Sequence, residues 1–164
     1  MFGGAMDRYN WKLLGKREVY IPYNSYELDS PKLKYEQIIK AGHINQDLTR
    51  YELHRVWVVE ATLKEGERNI YAKRIFYVDE DSWQIALADH YDGRGKLWRV
   101  GEGHAQQYFD HQVMGYTLEA LYDLEAGRYL ALGMKNEEKR SFEYGFKVQM
   151  SDYTPAALRK SGVR

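Results

Sequence analysis

At 164 residues the chain is long enough for one domain with a real core and too short for two comfortable ones. Lys plus Arg and Asp plus Glu number 24 each, so no overall field attracts nucleic acid or an anionic membrane surface. The absence of Cys excludes disulfides, zinc-thiolate sites and a thiol nucleophile, and is compatible with either cytoplasm or periplasm.

Aromatic residues make up 15% of the chain, with 15 Tyr, against only 3 Pro, which is the balance of a folded protein leaning towards β structure. No run approaches 18 apolar residues, and Met1 to Asn10 lacks a basic segment followed by an apolar one, so no membrane-spanning helix and no export signal are expected in the chain as written.

In chain order, Tyr9 to Leu14 and Glu18 to Tyr23 read as short extended segments, the second ending at Pro22 on an edge or bulge. Residues 24–50 read as a long irregular connection with a short helix over Lys32 to Lys40; such a connection is often a docking element. From Tyr51 a meander begins. Tyr51 to Lys64, Arg68 to Val78, Trp83 to Tyr91 and Lys96 to Tyr108 are separated by turns at Glu65-Gly66-Glu67, Asp79 to Ser82 and Asp92 to Gly95. Tyr116 to Leu124, Arg128 to Met134 and Ser141 to Val148 continue it, and Thr154-Pro155 starts a terminal helix with a capping Thr and a first-turn Pro. Seven to nine antiparallel strands exceed what a flat sheet carries, so a mainly β fold with a strongly curved, unclosed meander and a few short helices is expected. Strict alternation places Tyr51, Leu53, Arg55, Trp57, Val59, Ala61 and Leu63 on its inner face.

Catalytic and metal signatures are weak. The five His show no His-x-x-x-His pair, no Gly-x-Ser-x-Gly elbow is present, and the glycines at 93, 95, 101 and 103 read as turn and bulge positions rather than a phosphate loop. No metal, cofactor or catalytic residue is assigned. The acid-base set that remains is His54, Glu60, Asp89 and His90, with His104 nearby in sequence to the same strands; it supports a hydrolase only as a third reading. Adjacent charges at Lys73-Arg74 and Asp89-His90 put charge on both faces of their strands, against a lipid-facing barrel.

The segment Arg68 to Ala86, continuing through Asp89-His90-Tyr91-Asp92-Gly93-Arg94-Gly95-Lys96-Leu97-Trp98, resembles the C-terminal part of domain of unknown function family 1329. Met1 to Tyr9, Tyr51 to Val59 and Thr154 to Arg159 carry further matching phrases, so the resemblance covers nearly the whole chain. These are Gram-negative envelope proteins often labelled outer-membrane lipoprotein-sorting proteins, and the hairpin rhythm is similar to the lipoprotein carriers LolA and LolB. The resemblance implies an unclosed barrel with an apolar cavity, a place in the periplasm or at the inner face of the outer membrane, and a chain that forms one domain over 1–164 as the C-terminal portion of a longer architecture. It also implies few helices to cover the cavity, and hence a tendency to homodimerise.

On that basis the expected function is non-enzymatic binding of an acyl chain or other apolar ligand, with a role in lipid or lipoprotein transport. The expected apolar lining is Leu53, Trp57, Val59, Tyr71, Phe76, Trp83, Leu87 and Trp98. Arg55 pairs with Asp89 at the polar rim, because an unpaired guanidinium on an inner face is costly. The alternative is an interaction module docking onto an envelope transporter or outer-membrane protein through residues 24–50 or an open sheet edge.

Overall fold

In the computed structural model, residues 1–139 and 142–162 are described. Seven strands form one antiparallel sheet in sequence order: β1 (Tyr9–Pro22), β2 (Tyr51–Leu63), β3 (Lys73–Asp79), β4 (Ile85–Tyr91), β5 (Leu97–Tyr108), β6 (Val113–Asp123) and β7 (Arg128–Leu132). The helices are α1 (Tyr35–Ile38) and α2 (Pro155–Ser161), with three short 3₁₀ turns. The protein is mainly β and the sheet does not close into a barrel.

Aspartates start three of the hairpins. Asp79 Oδ2 accepts from the Ser82 N–H (2.8 Å) and Ser82 hydroxyl (2.6 Å), Asp92 Oδ1 from the Arg94 and Lys96 N–H groups (2.9 Å each), and Asp123 Oδ1 from the Ala126 N–H (2.9 Å). In each case the short carboxylate satisfies turn N–H groups that the ladder leaves free. Trp83 closes the first turn with φ 58°, a strained conformation for a bulky residue.

Both early extended segments belong to one strand. β1 runs through Gly15 (φ 110°), where its register against β2 shifts between Leu13 and Gly15. The bulge inverts the alternation: Tyr9, Trp11 and Leu13 share a face with Trp57, Val59 and Ala61, whereas Arg17, Val19 and Ile21 lie on the face of Val56, His54 and Glu52.

The sheet curls towards this second face. Four strand spacings separate β1 from β5 in a flat sheet, roughly 19 Å, yet Arg17 and Val19 of β1 line one groove with Val100 and Glu102 of β5. Just beyond β1, the Ser25 N–H donates to the Ala105 carbonyl at 2.9 Å.

On the concave face, Ile21, Val56, Val58 and Ala86 form one buried cluster, with Tyr77 and Leu87 packed against it. Leu28, Ile38 and Ile44 of the 24–50 connection form a second with Leu118 and Ala120 of β6. The connection is therefore folded onto the sheet, held by α1 and an Ile39–Ile44 bridge, and covers β6 and β7. The convex face has its own cluster of Tyr9, Ala61, Phe76 and Ala88, over which Met1 and Phe2 pack.

Three expectations need correction. The inner face of β2 is Glu52, His54, Val56, Val58 and Glu60, the reverse of the one assigned, and Leu53 is 55% exposed. β3 begins at Lys73 rather than Arg68, because Asn69 Oδ1 takes the Tyr71 N–H and holds a loop there. Over 142–148 the chain forms no strand, Ser141 lying outside the described residues. The terminal helix forms as expected, with Thr154 Oγ1 accepting from the Ala157 N–H and Pro155 at its first position.

Candidate ligand groove on the concave face

Between the two concave clusters the sheet stays open. Arg17 and Val19 of β1, Tyr77 of β3, Leu87 and Asp89 of β4, and Val100 and Glu102 of β5 line a groove of about 420 Å³. That volume falls within the ~300–1,000 Å³ range of small-molecule sites. Cross-strand registers Tyr77↔Leu87, Leu87↔Glu102 and Asp89↔Val100 bring these residues to one face.

Two carboxylates in the groove sit in different surroundings. Burial pushes the Asp89 carboxyl up, against the opposing effect of the Tyr77 hydroxyl, which donates to Asp89 Oδ2 at 3.0 Å. Burial, and after it the Asp89 charge and that same contact, push the Tyr77 hydroxyl up to about 12. Burial would also raise Glu102, but His104 at 3.6 Å and the Tyr51 hydroxyl at 3.0 Å outweigh it and hold the carboxyl below its ordinary range. The groove thus has an apolar floor with one carboxyl held above and one held below the ordinary carboxylate range, and Arg17 at its β1 wall.

The candidate lining residues divide between faces. Leu87 lines the groove with Asp89. Trp57, Val59 and Trp83 line an apolar hollow on the convex side with Leu13 and Val78, where Trp83 is 70% exposed. Phe76 is buried in the convex cluster, stacked on Trp11 at 6.0 Å between ring centres. Tyr71 stacks on His90 and meets Trp98 edge-on, and Trp98 donates to Asp123.

The expected Arg55–Asp89 pair does not form. Arg55 is on the convex side, its side chain 61% exposed, with Nε 2.6 Å from Glu80 Oε1. The guanidinium that shares the groove with Asp89 is Arg17, which two separate extended segments without the Gly15 inversion do not bring to this face.

His54, Glu60, Asp89 and His90 are not brought together either. His90 points to the convex side while Glu60, two strands from Asp89, is on the concave one. His54 instead meets Asp79 (Nδ1–Oδ1 2.9 Å) and Asp81 (3.7 Å) under the Tyr23 ring. Among the described residues, this trio is the set whose donor atoms lie close enough to hold a metal ion. Its signal in the sequence is the Asp79 to Ser82 turn opposite a strand His.

No helix among the described residues is long and apolar enough to cross a membrane. Comparison with known proteins places this geometry. An uncharacterized protein of Pseudomonas aeruginosa, PA3922, is 70% identical over all 164 residues, which span 36% of that relative's length. A crystallised domain of Vibrio parahaemolyticus, described as that of an outer membrane lipoprotein-sorting protein, superposes with a TM-score of 0.50 at 15% identity, covering 93% of this chain and 49% of that one. A DUF1329 family protein from Desulfovibrio piger gives 0.49 at 16% identity, covering 76% and 38%. At 15% identity the Vibrio parahaemolyticus structure bears on the fold alone. The family described as protein of unknown function (DUF1329) matches residues 1–159, and the chain belongs to it.

Proposed function

We propose that the concave groove binds an apolar chain, an acyl group or a molecule carrying one, and that the protein works as a carrier or sensor of such a ligand in the bacterial cell envelope. The observation that carries this reading is the groove itself: the curled sheet is filled on both sides of it, yet Val19, Tyr77, Leu87 and Val100 remain only partly covered. Each methylene removed from water there gains about 0.8 kcal/mol, so binding needs no covalent step and no charged clamp. Arg17 at the wall suits a carboxylate or ester head group, since its planar fork pairs with oxygen acceptors. The envelope setting is supported by the likeness in fold to the lipoprotein-sorting domain.

The test is titration of detergent-free protein with a fluorescent long-chain fatty acid, alongside native mass spectrometry. The parent should bind saturably, and Leu87→Arg, which puts a charge on the groove floor, should abolish binding while keeping the β-sheet circular dichroism. Absence of binding by the parent, or full binding by the Leu87→Arg protein, would sink the proposal.

A further inference from the structure

On the convex side, away from the groove, a second cleft of about 250 Å³ lies over β4 to β7, lined by Tyr71, His90, Arg99, Leu121, Asp123 and Arg128 among others. Its charges do not balance. Arg99 is committed to Asp123 (Nε–Oδ2 2.9 Å) and to the Tyr71 hydroxyl (2.9 Å). Arg128 lies opposite Asp123 in the ladder and makes no ion pair among the described residues.

Behind Tyr71 sits Arg74, only 4% exposed, with its guanidinium packed against the rings of Tyr71, Phe2 and Tyr9 at 4.8, 5.1 and 5.1 Å. It has no carboxylate within 4 Å among the described residues; Nη2 reaches the neutral Asn69 Oδ1 at 3.3 Å and Nε has no partner. Aromatic faces offset part of the desolvation of a buried cation, but no full counter-charge stands beside it among the described residues.

His90, cross-strand neighbour of Arg74, is likewise 4% exposed, and its Nδ1 has no partner among the described residues. Its ring lies stacked on Tyr71 at 4.6 Å. Burial, then Arg74 and Arg99, push its pKa down to about 4, so it stays neutral at pH 7 and retains a free N–H to donate. Two lining guanidinium groups, Arg99 and Arg128, therefore share one lining carboxylate, Asp123, with the buried Arg74 behind Tyr71, and buried His90 borders a cleft large enough for a small oxyanion.

We propose that this cleft is a phosphate-binding site, in which Arg128 and Arg99 receive a phosphate group while Arg74 supplies the buried positive field behind it. A dianionic monoester matches the two uncompensated charges, and guanidinium forks match phosphate oxygens in geometry. Nothing in this inference depends on the groove binding an acyl chain.

Two sources share this chemistry, a free phosphate and the head group of a phospholipid, and one experiment separates them. The His90 ring signals are followed by NMR while the full chain is titrated with inorganic phosphate. In parallel, co-sedimentation is measured with phosphatidylcholine vesicles with and without phosphatidic acid. A saturable shift with inorganic phosphate, weakened about tenfold or more in the exposed-site variant Arg128→Gln and unchanged in Leu87→Arg, establishes a free-phosphate site. Sedimentation that requires phosphatidic acid and is lost in Arg128→Gln, without a phosphate-induced shift, establishes a head-group site. Failure of both, or equal binding by Arg128→Gln, overturns the proposal. Unchanged thermal unfolding of Arg128→Gln shows that any loss is not one of fold.

Discussion

The two faces of the sheet solve different problems with the same strands. The concave face is closed over β6 and β7 by the 24–50 connection and left open as a groove between β1 and β5. The convex face has a core at its β1–β4 end, under Met1 and Phe2, and further along it exposes large apolar side chains such as Leu13, Tyr20, Leu53 and Trp83. The contrast teaches that hydrophobic character alone does not tell which face of this sheet is covered. A face rich in tryptophan can still be the outer one.

The largest expected effect tests whether the connection truly supports the concave side. Ile44 is fully buried against Leu28, Ile38 and Leu118, so Ile44→Ala should lower stability by about 2–5 kcal/mol in urea unfolding. Leu53→Ala on the convex face should stay within about 0.5 kcal/mol. Equal losses would mean that the connection is not part of the core.

A second prediction sets the convex side against pH. His90 has a folded pKa near 4, below its unfolded value of 6.5, so the fold favours the neutral ring. Stability is intact above pH 6.5, falls as the unfolded chain takes up the proton between pH 6.5 and 4, and loses nothing more from this group below pH 4. The loss amounts to at most about 3 kcal/mol. His90→Gln should therefore narrow the difference in urea midpoint between pH 7.5 and pH 4.5; an unchanged difference would mean that His90 is not held neutral.

The smallest effect separates the two arginines. Arg55→Met removes an exposed pair with Glu80 and should leave the melting temperature within about 2 °C and fatty-acid binding unaltered. Arg17→Met, at the groove wall, should keep binding of an apolar alcohol and weaken that of the matching carboxylate. A reversal of the two would restore the face order expected from alternation alone.

Much of the fold was legible in the sequence. The limits of β2, β4 and β5 fall within two residues of those expected, because aspartate and glycine turns punctuate them, and the family resemblance carried over to the unclosed sheet. The phase of the strands was not legible. Register shifts at Leu13/Gly15, Tyr77/Val78, His90/Tyr91 and His104/Ala105 each interrupt the two-residue period, and alternation counted along one strand says nothing about which face the chain will cover. That is why Leu87 and Asp89 lie in the groove, Leu53 and Trp57 do not, and Arg17 joins it against simple alternation. In the sequence Lys73-Arg74 reads only as adjacent charges; that Arg74 is buried among three rings depends on Phe2 and Tyr9, which are distant in sequence, as well as on nearby Tyr71.

The bulge at Gly15 makes one strand serve two interiors, feeding Tyr9 to the convex cluster and Ile21 to the concave one. It acts as a frame in space much as a codon frame acts in a message. Straightening the strand there without removing a residue would rotate the downstream half of β1 by half a turn, exporting Val19 and Ile21 to solvent and importing Glu18 and Tyr20. Deleting the one extra residue, by contrast, removes the bulge and leaves each downstream side chain on its present face, so the shortened strand keeps both interiors in frame.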